Sequence, residues 1–174
     1  MSLETKAQAA EEEVAPQTAS PELKAPIVVR SPNWLGDAIM ALPAVRNLRS
    51  LVGRDMKLEV AAPAKLSPLW KACRFIDDVV ELEKPKSIPA VGRALKERRF
   101  KTSIILPNSL RTAAEAFAGG IEMTIAYPGH TRRWIVSNVV EPSDYDPMRP
   151  HQKWHYIDLV AALVPYSPML SRCC

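Results

Sequence analysis

The segment "SPNWLGDAIM" (31–40) sets Asn33, Trp34, Gly36 and Asp37 within one short stretch, and "LPNSLR" (106–111) sets Asn108, Ser109 and Arg111 in another. A carboxylate can take a proton from a hydroxyl nucleophile. Amide and hydroxyl side chains can hydrogen-bond a polyol, an indole can stack on a sugar face, and a guanidinium can grip a carboxylate or phosphate. Asp37 poses the sharper question. The first strand-to-helix turn of a nucleotide-binding α/β fold receives a phosphate on glycines. Here a single glycine, Gly36, is followed at once by an acid that would repel one. The glycine spacing of a dinucleotide fingerprint is absent. Two readings of Asp37 stand side by side. One is an N-cap that accepts a first-turn N–H, worth about 1 kcal/mol. The other is a general base whose negative charge the helix dipole favours.

These residues act together only if the surrounding elements bring them together. "IVVR" (27–30) reads as a buried strand, and further strands are predicted at 56–62, 78–82, 102–107 and 122–127. Between them fall helical patterns. The first runs from Asp37 to a stop at Gly53, with Leu42, Val45, Leu48 and Val52 inward and a kink expected at Pro43. A short helix at 65–73 is read as interrupted by Pro68. The helix at 87–99 turns Ile88, Val91 and Leu95 inward, and the one at 109–119 turns Leu110, Ala113, Ala114 and Phe117 inward. "WIVSNVV" (134–140) fits a strand or a helix, and a last helix at 151–164 aligns Trp154, Ile157, Val160, Ala161 and Val164. This alternation predicts an α/β fold with a Rossmann-like doubly wound parallel sheet, all strand C-termini on one edge. Strands 1 and 4 of such a sheet flank the switch point, where ligands bind. Asp37, Asn33, Asn108, Ser109 and Arg111 would then meet in one crevice.

The bulk properties narrow the partners. The 174 residues carry a net +4, but residues 1–25 hold five glutamates against two lysines, so the remainder carries +7. A basic folded part favours an anionic partner. Aromatic residues make up only 6% and are not interleaved with the bases, which argues against nucleic acid. Cys73, Cys173 and Cys174 have no metal-ligand spacing, and their odd number argues against a secreted disulfide framework, so a cytoplasmic location is expected. No apolar leader or spanning stretch is visible, so membrane contact is expected to be peripheral. Residues 1–25, without aromatics, read as a disordered tail. Residues 26–164 read as the folded domain and 165–174 as the start of a linker.

"PNWLGDAIMALPAVRNLR", "LPNSLRTA" and the helix opening at His151 resemble glycosyltransferase family 9, the heptosyltransferases of lipopolysaccharide core assembly, over about residues 26–164. The motifs look more like those of the second heptosyltransferases of that pathway than the first. The resemblance implies a GT-B architecture of two Rossmann-like domains, of which this chain is the N-terminal, acceptor-binding half. It implies that ADP-heptose binds a C-terminal half not contained in these residues. It implies inverting transfer to the anionic inner core, with Asp37 as the base and no metal or other cofactor required. His151 matches a family histidine near the acceptor, and with Asn33, Trp34, Gly36, Asn108, Ser109 and Arg111 it completes the expected acceptor site. The "QKWHY" that follows departs from the family's acidic and arginine pattern. Lys84, Lys86, Arg93, Arg132, Arg133 and Lys153 are further candidate contacts for an anionic acceptor. Two alternatives are a non-catalytic module that binds an anionic glycolipid and a family 9 transferase with another sugar donor.

Overall fold

The computed structural model describes residues 22–82, 87–129, 134–141 and 151–163. Six parallel strands form one sheet in the order β3-β2-β1-β4-β5-β6: β1 (Ile27–Arg30), β2 (Leu58–Pro63), β3 (Asp78–Leu82), β4 (Thr102–Ile105), β5 (Met123–Ala126) and β6 (Asn138–Val139). The helices are α1 (Leu35–Val52), α2 (Ser67–Lys71), α3 (Ile88–Glu97), α4 (Leu110–Ala118) and α5 (Lys153–Ala161). The ambiguous 134–140 stretch contains the short edge strand β6, parallel to β5. β1 and β4 are direct neighbours, with Arg30 level with Ile105, so the predicted switch point exists.

Alternate residues of each strand face opposite layers. Ile27 and Val29 of β1 meet α1 and α5 in one core, while Val28 meets α3 and α4 in the other. α5 packs along α1. The Tyr127 hydroxyl, just past β5, donates to the His155 carbonyl at 2.7 Å, and its ring stacks on His155. Burial, reinforced by the Asp158 charge, pushes the Tyr127 phenol far up from its ordinary value.

Several predicted details change. Pro43 lies inside α1 on its exposed side, where water can satisfy the Ile39 carbonyl that a proline cannot. The buried stripe of α1 is built mainly of Ala38, Ala41 and Ala44 with Val45 and Leu48, and Leu42 and Val52 are only half-buried. Pro68 sits in the first turn of α2, so it starts that helix and does not interrupt it. In α4 the buried residues are Thr112, Ala113, Glu115 and Ala116, while Leu110 and Phe117 face solvent. In α5 they are Tyr156, Leu159 and Val160, with Trp154 and Ile157 half-buried and Ala161 exposed.

Gly53 ends α1 as expected, in the left-handed region at φ 72°, its N–H on the Arg49 carbonyl. Residues 22–25, assigned to the tail, lie against the sheet. The Lys24 N–H donates to Thr102 Oγ1 at 3.0 Å, the Thr102 hydroxyl donates back to the Lys24 carbonyl at 2.8 Å, and Leu23 packs on the core. Residues 1–21, Val164 and the 165–174 linker lie outside the described residues.

Candidate active site

The two predicted segments leave the sheet side by side. The Leu106 N–H donates to the Arg30 carbonyl at 3.3 Å, which keeps the 106–109 loop beside the 31–34 loop. The Ser31 hydroxyl donates to the Pro32 carbonyl and accepts the Trp70 indole N–H, each at 2.9 Å, and fixes the base of the first loop. α1 and α4 then start on opposite faces of the sheet, one on each side of the switch point.

Asp37 is not the cap of α1. That position belongs to Trp34, in extended conformation with no side-chain cap bond, and the Trp34 carbonyl accepts from the Ala38 N–H at 2.9 Å. Asp37 lies half-buried in the first turn, three residues past the cap position. It faces α5. Burial chiefly, and then the Asp37 charge, push the Tyr156 phenol up from its ordinary value, while the hydrogen bond from Gln152 works the other way. That bond runs from Gln152 Nε2 to the Tyr156 hydroxyl at 3.3 Å, one turn apart at the start of α5. His151 lies just ahead of α5. Its Nδ1 accepts the Lys153 N–H at 3.2 Å, which gives this exposed histidine a helix-capping role.

Around this carboxylate the rim is open and apolar. Trp34 is 71% exposed, and Leu35, Ile39 and Leu110 are each about half exposed. Lys65, in the 3-10 turn after β2, sits with its ammonium 4.9 Å from the Trp34 ring centroid. Asn33 and Asn108 are exposed, and a Cβ added at Gly36 would meet nothing within 4 Å. Ser109 occupies the cap position of α4. Its carbonyl accepts the Thr112 hydroxyl at 2.8 Å, but its own side chain makes no cap bond.

On the α4 side, charges replace apolar groups. Arg30, at the end of β1, is buried, and its Nε donates to Glu115 Oε2 at 3.1 Å. Its Nη1 reaches the Ser31 carbonyl at 2.9 Å and the Ala61 carbonyl at 3.5 Å. Glu115 Oε1 accepts Arg111 Nε at 3.1 Å. Burial pulls the Arg30 guanidinium below its ordinary value, Glu115 opposes the shift, and Arg111 adds to it. Arg30, Glu115, Tyr156 and Lys65 were not among the sequence candidates. The i, i+4 spacing of Arg111 and Glu115 was the one local signal that a pair existed.

The remaining candidates scatter. Arg93 is exposed on α3, and Lys153 lies over the Trp154 ring at 4.9 Å. Lys84, Lys86, Arg132 and Arg133 fall outside the described residues. Among the described residues, no cluster of His, Cys, Asp or Glu is placed to hold a metal ion, and no helix is long and apolar enough to cross a membrane.

No protein-family model matches the chain. It is 25% identical over 119 residues to lipopolysaccharide heptosyltransferase 2 of Escherichia coli (strain K12), an alignment covering 65% of this chain and 34% of that protein. The chain therefore spans about a third of the length of the curated relative it matches. Among solved structures, the E. coli ADP-heptose lps heptosyltransferase II superposes with a TM-score of 0.64 at 24% identity, covering 77% of this chain and 39% of that one. A glycosyl transferase family 9 protein from Veillonella parvula superposes with a TM-score of 0.70 at 13% identity, covering 86% and 44%. The structural likenesses establish the fold. With the sequence match, they bear out the resemblance to family 9 heptosyltransferases, which are glycosyltransferases, over their N-terminal portion.

Proposed function

We propose that the chain forms the acceptor side of a heptosyltransferase that moves heptose from ADP-heptose to the anionic inner core of lipopolysaccharide, with Asp37 as the base. The observation that supports this most is Asp37 itself. It is a half-buried carboxylate in the first turn of α1, the helix that leaves β1 at the switch point, and the cap position of that helix is held by Trp34. In the proposed step the acceptor hydroxyl attacks the anomeric carbon from the face opposite the diphosphate. The new C–O bond forms as the bond to the diphosphate oxygen breaks, Asp37 takes the hydroxyl proton, and ADP leaves. Trp34, Asn33, Asn108, Ser109, Arg111 and His151 orient the acceptor, and Gly36 leaves room for it. The acidic turn then has a reason. This half handles a hydroxyl, and the donor diphosphate is neutralised elsewhere. The reading carries a cytoplasmic setting with peripheral contact to the inner membrane, where a basic surface meets anionic lipid.

The basic charge outside residues 1–25 also fits a second reading, in which the chain binds the anionic glycolipid without catalysis. One experiment separates the two. The chain is titrated with inner-core acceptor while Trp34 fluorescence is followed, then assayed for heptose transfer from ADP-heptose. Binding with transfer supports the first reading, and binding without transfer supports the second. In a transfer-competent form of the protein, Asp37→Asn should abolish transfer and leave the melting temperature and acceptor affinity in place. Near-normal turnover by that variant overturns the assignment of Asp37.

A further inference from the structure

The outward face of α1 begins apolar, where a helix that faces water is ordinarily polar. Leu35 and Ile39 lie one turn apart on that face, each about half exposed, and exposed Pro43 follows one turn on. Trp34, at the cap position, is the most exposed of the group. The next exposed positions of the helix are Arg46, Asn47 and Ser50, so its exposed residues include no acid. Asp37, two residues past Leu35, is turned to another side and is half-buried. A cation flanks the apolar ridge at each end. Lys65 holds its ammonium 4.9 Å from the Trp34 ring centroid, and exposed Arg46 lies two turns beyond Ile39. Single exposed apolar side chains are normal on a protein surface, but a run of them on one helix face marks a contact surface. Aliphatic groups bordered by a tryptophan and by bases suit the boundary of a bilayer, where the stems enter the lipid and the charged heads stay at the phosphates.

We propose that the Leu35–Ile39 ridge of α1, with Trp34 and Lys65 beside it, docks the protein on an anionic lipid bilayer. The ridge enters the boundary between headgroups and acyl chains, the Trp34 ring lies at headgroup level, and Lys65 and Arg46 meet lipid phosphates. Two aliphatic side chains grip neutral lipid only weakly, so the negative surface potential has to add to them. Charge complementarity favours this occupant, since the residues after 25 carry +7. A second copy of the chain would bring the same bases to the contact and be repelled. The inference rests on the proposed function for its purpose alone: a lipid-anchored acceptor would be met at the surface that carries it, because Asp37 lies in the same first turn of α1.

The test is co-sedimentation of the 174-residue chain with vesicles that contain no acceptor, made of phosphatidylcholine alone or of phosphatidylcholine mixed with phosphatidylglycerol. The unaltered chain is expected to bind the mixed vesicles and to bind the neutral ones far more weakly. The paired change Leu35→Gln with Ile39→Gln replaces exposed side chains by good helix formers, so its melting temperature should stay in place. Its affinity for the mixed vesicles should fall about tenfold or more. Phe117→Gln is the control. It removes an equally exposed apolar side chain from α4, on the opposite layer of the sheet, and should leave binding unchanged. If the paired variant does not fold, Lys65→Glu carries the test, with a several-fold loss on mixed vesicles expected. The proposal is overturned if the unaltered chain ignores the mixed vesicles, if the folded paired variant or Lys65→Glu binds them as before, or if Phe117→Gln loses as much as the pair. Sedimentation velocity of the same proteins covers the other occupant, and self-association abolished by the paired change, without vesicle binding, would assign the ridge to a second copy. Failure of heptose transfer would remove the proposed function and leave the vesicle result standing.

Discussion

At the scale of single residues, what matters is where local chemistry and structural need part company. Asp37 was legible because its type was wrong for the turn it occupied, an acid where an anion is usually received. Tyr156 was not legible, since nothing in a linear pattern shows that a helix more than a hundred positions later packs along α1. Glu115 was not singled out, for a related reason. A charged residue on an amphipathic helix is ordinarily turned outward, and only the distant Arg30 makes the inward turn affordable. Gly36 supports a prediction at this scale. It lies in the first turn of α1 in helical conformation, with open space where a Cβ would stand. Gly36→Ala should therefore leave unfolding free energy unchanged or raise it by up to about 1 kcal/mol. It should also weaken acceptor binding, because the methyl group enters the space above Asp37. Calorimetric melting and acceptor titration of the same variant check both halves, and undiminished binding would take Gly36 out of the acceptor site.

At the scale of elements, strand positions were read well, the inward face of α3 was read in Val91 and Leu95, and the face of α4 was not. β1 and β3 match their predicted spans, because short β-branched runs bounded by loops have few other uses. The face of α4 was rotated, because its inward side is made of small and polar residues. The cause lies in its contact with α3. A Cβ on Gly92 would come within 2.6 Å of the Ala118 Cβ and 2.8 Å of its backbone carbon. The two helices touch too closely for large side chains, so Leu110 and Phe117 are left outside. Gly92→Ala should destabilise by about 1–3 kcal/mol in urea unfolding, since backbone has to move to admit the methyl group.

A second contact between elements is sensitive to pH. Asp77 Oδ2 accepts Arg49 Nη2 at 2.6 Å and the Leu58 N–H at 2.7 Å, which joins α1, β2 and the segment leading to β3. Burial alone would raise the Asp77 carboxyl, but these two bonds outweigh it and hold it below its ordinary value of 3.8. Arg98, by its hydrogen bond, holds Asp78 down as well. A carboxyl depressed in the folded state stabilises at neutral pH, and that contribution is lost as pH falls below the ordinary value toward the folded one. Asp77→Asn should cost about 1 kcal/mol at pH 7, a modest figure because the side chain is one-third exposed. The variant should also lose less stability than the parent between pH 6 and pH 3. Melting temperatures across that range give the answer, and parallel curves would show that this pair does not govern acid stability.

For the molecule as a whole, the alternation of strands and helices was enough to give the parallel sheet and its switch point, because chirality and crossover rules leave few other arrangements. The layers were harder to read, since which helix lies on which face depends on side chains that meet across the sheet. The excess of positive charge outside residues 1–25 supports one further expectation. If an anionic acceptor is captured partly by this charge, its affinity should fall as salt is raised from 50 to 500 mM, as screening shortens the reach of each base. An affinity that does not change with salt would assign binding to the apolar rim around Trp34 and Leu35.

The clasp between Lys24 and Thr102 has a practical consequence. It fastens the incoming polypeptide at the end of β4 where the strand begins, roughly 10 Å of strand away from the loops that carry Asp37 and Arg111. A fluorophore or purification handle grafted ahead of Glu22 would enter from the far side of the sheet. Immobilised by such a handle, the protein would keep the edge that carries Asp37 and Arg111 turned toward the solution.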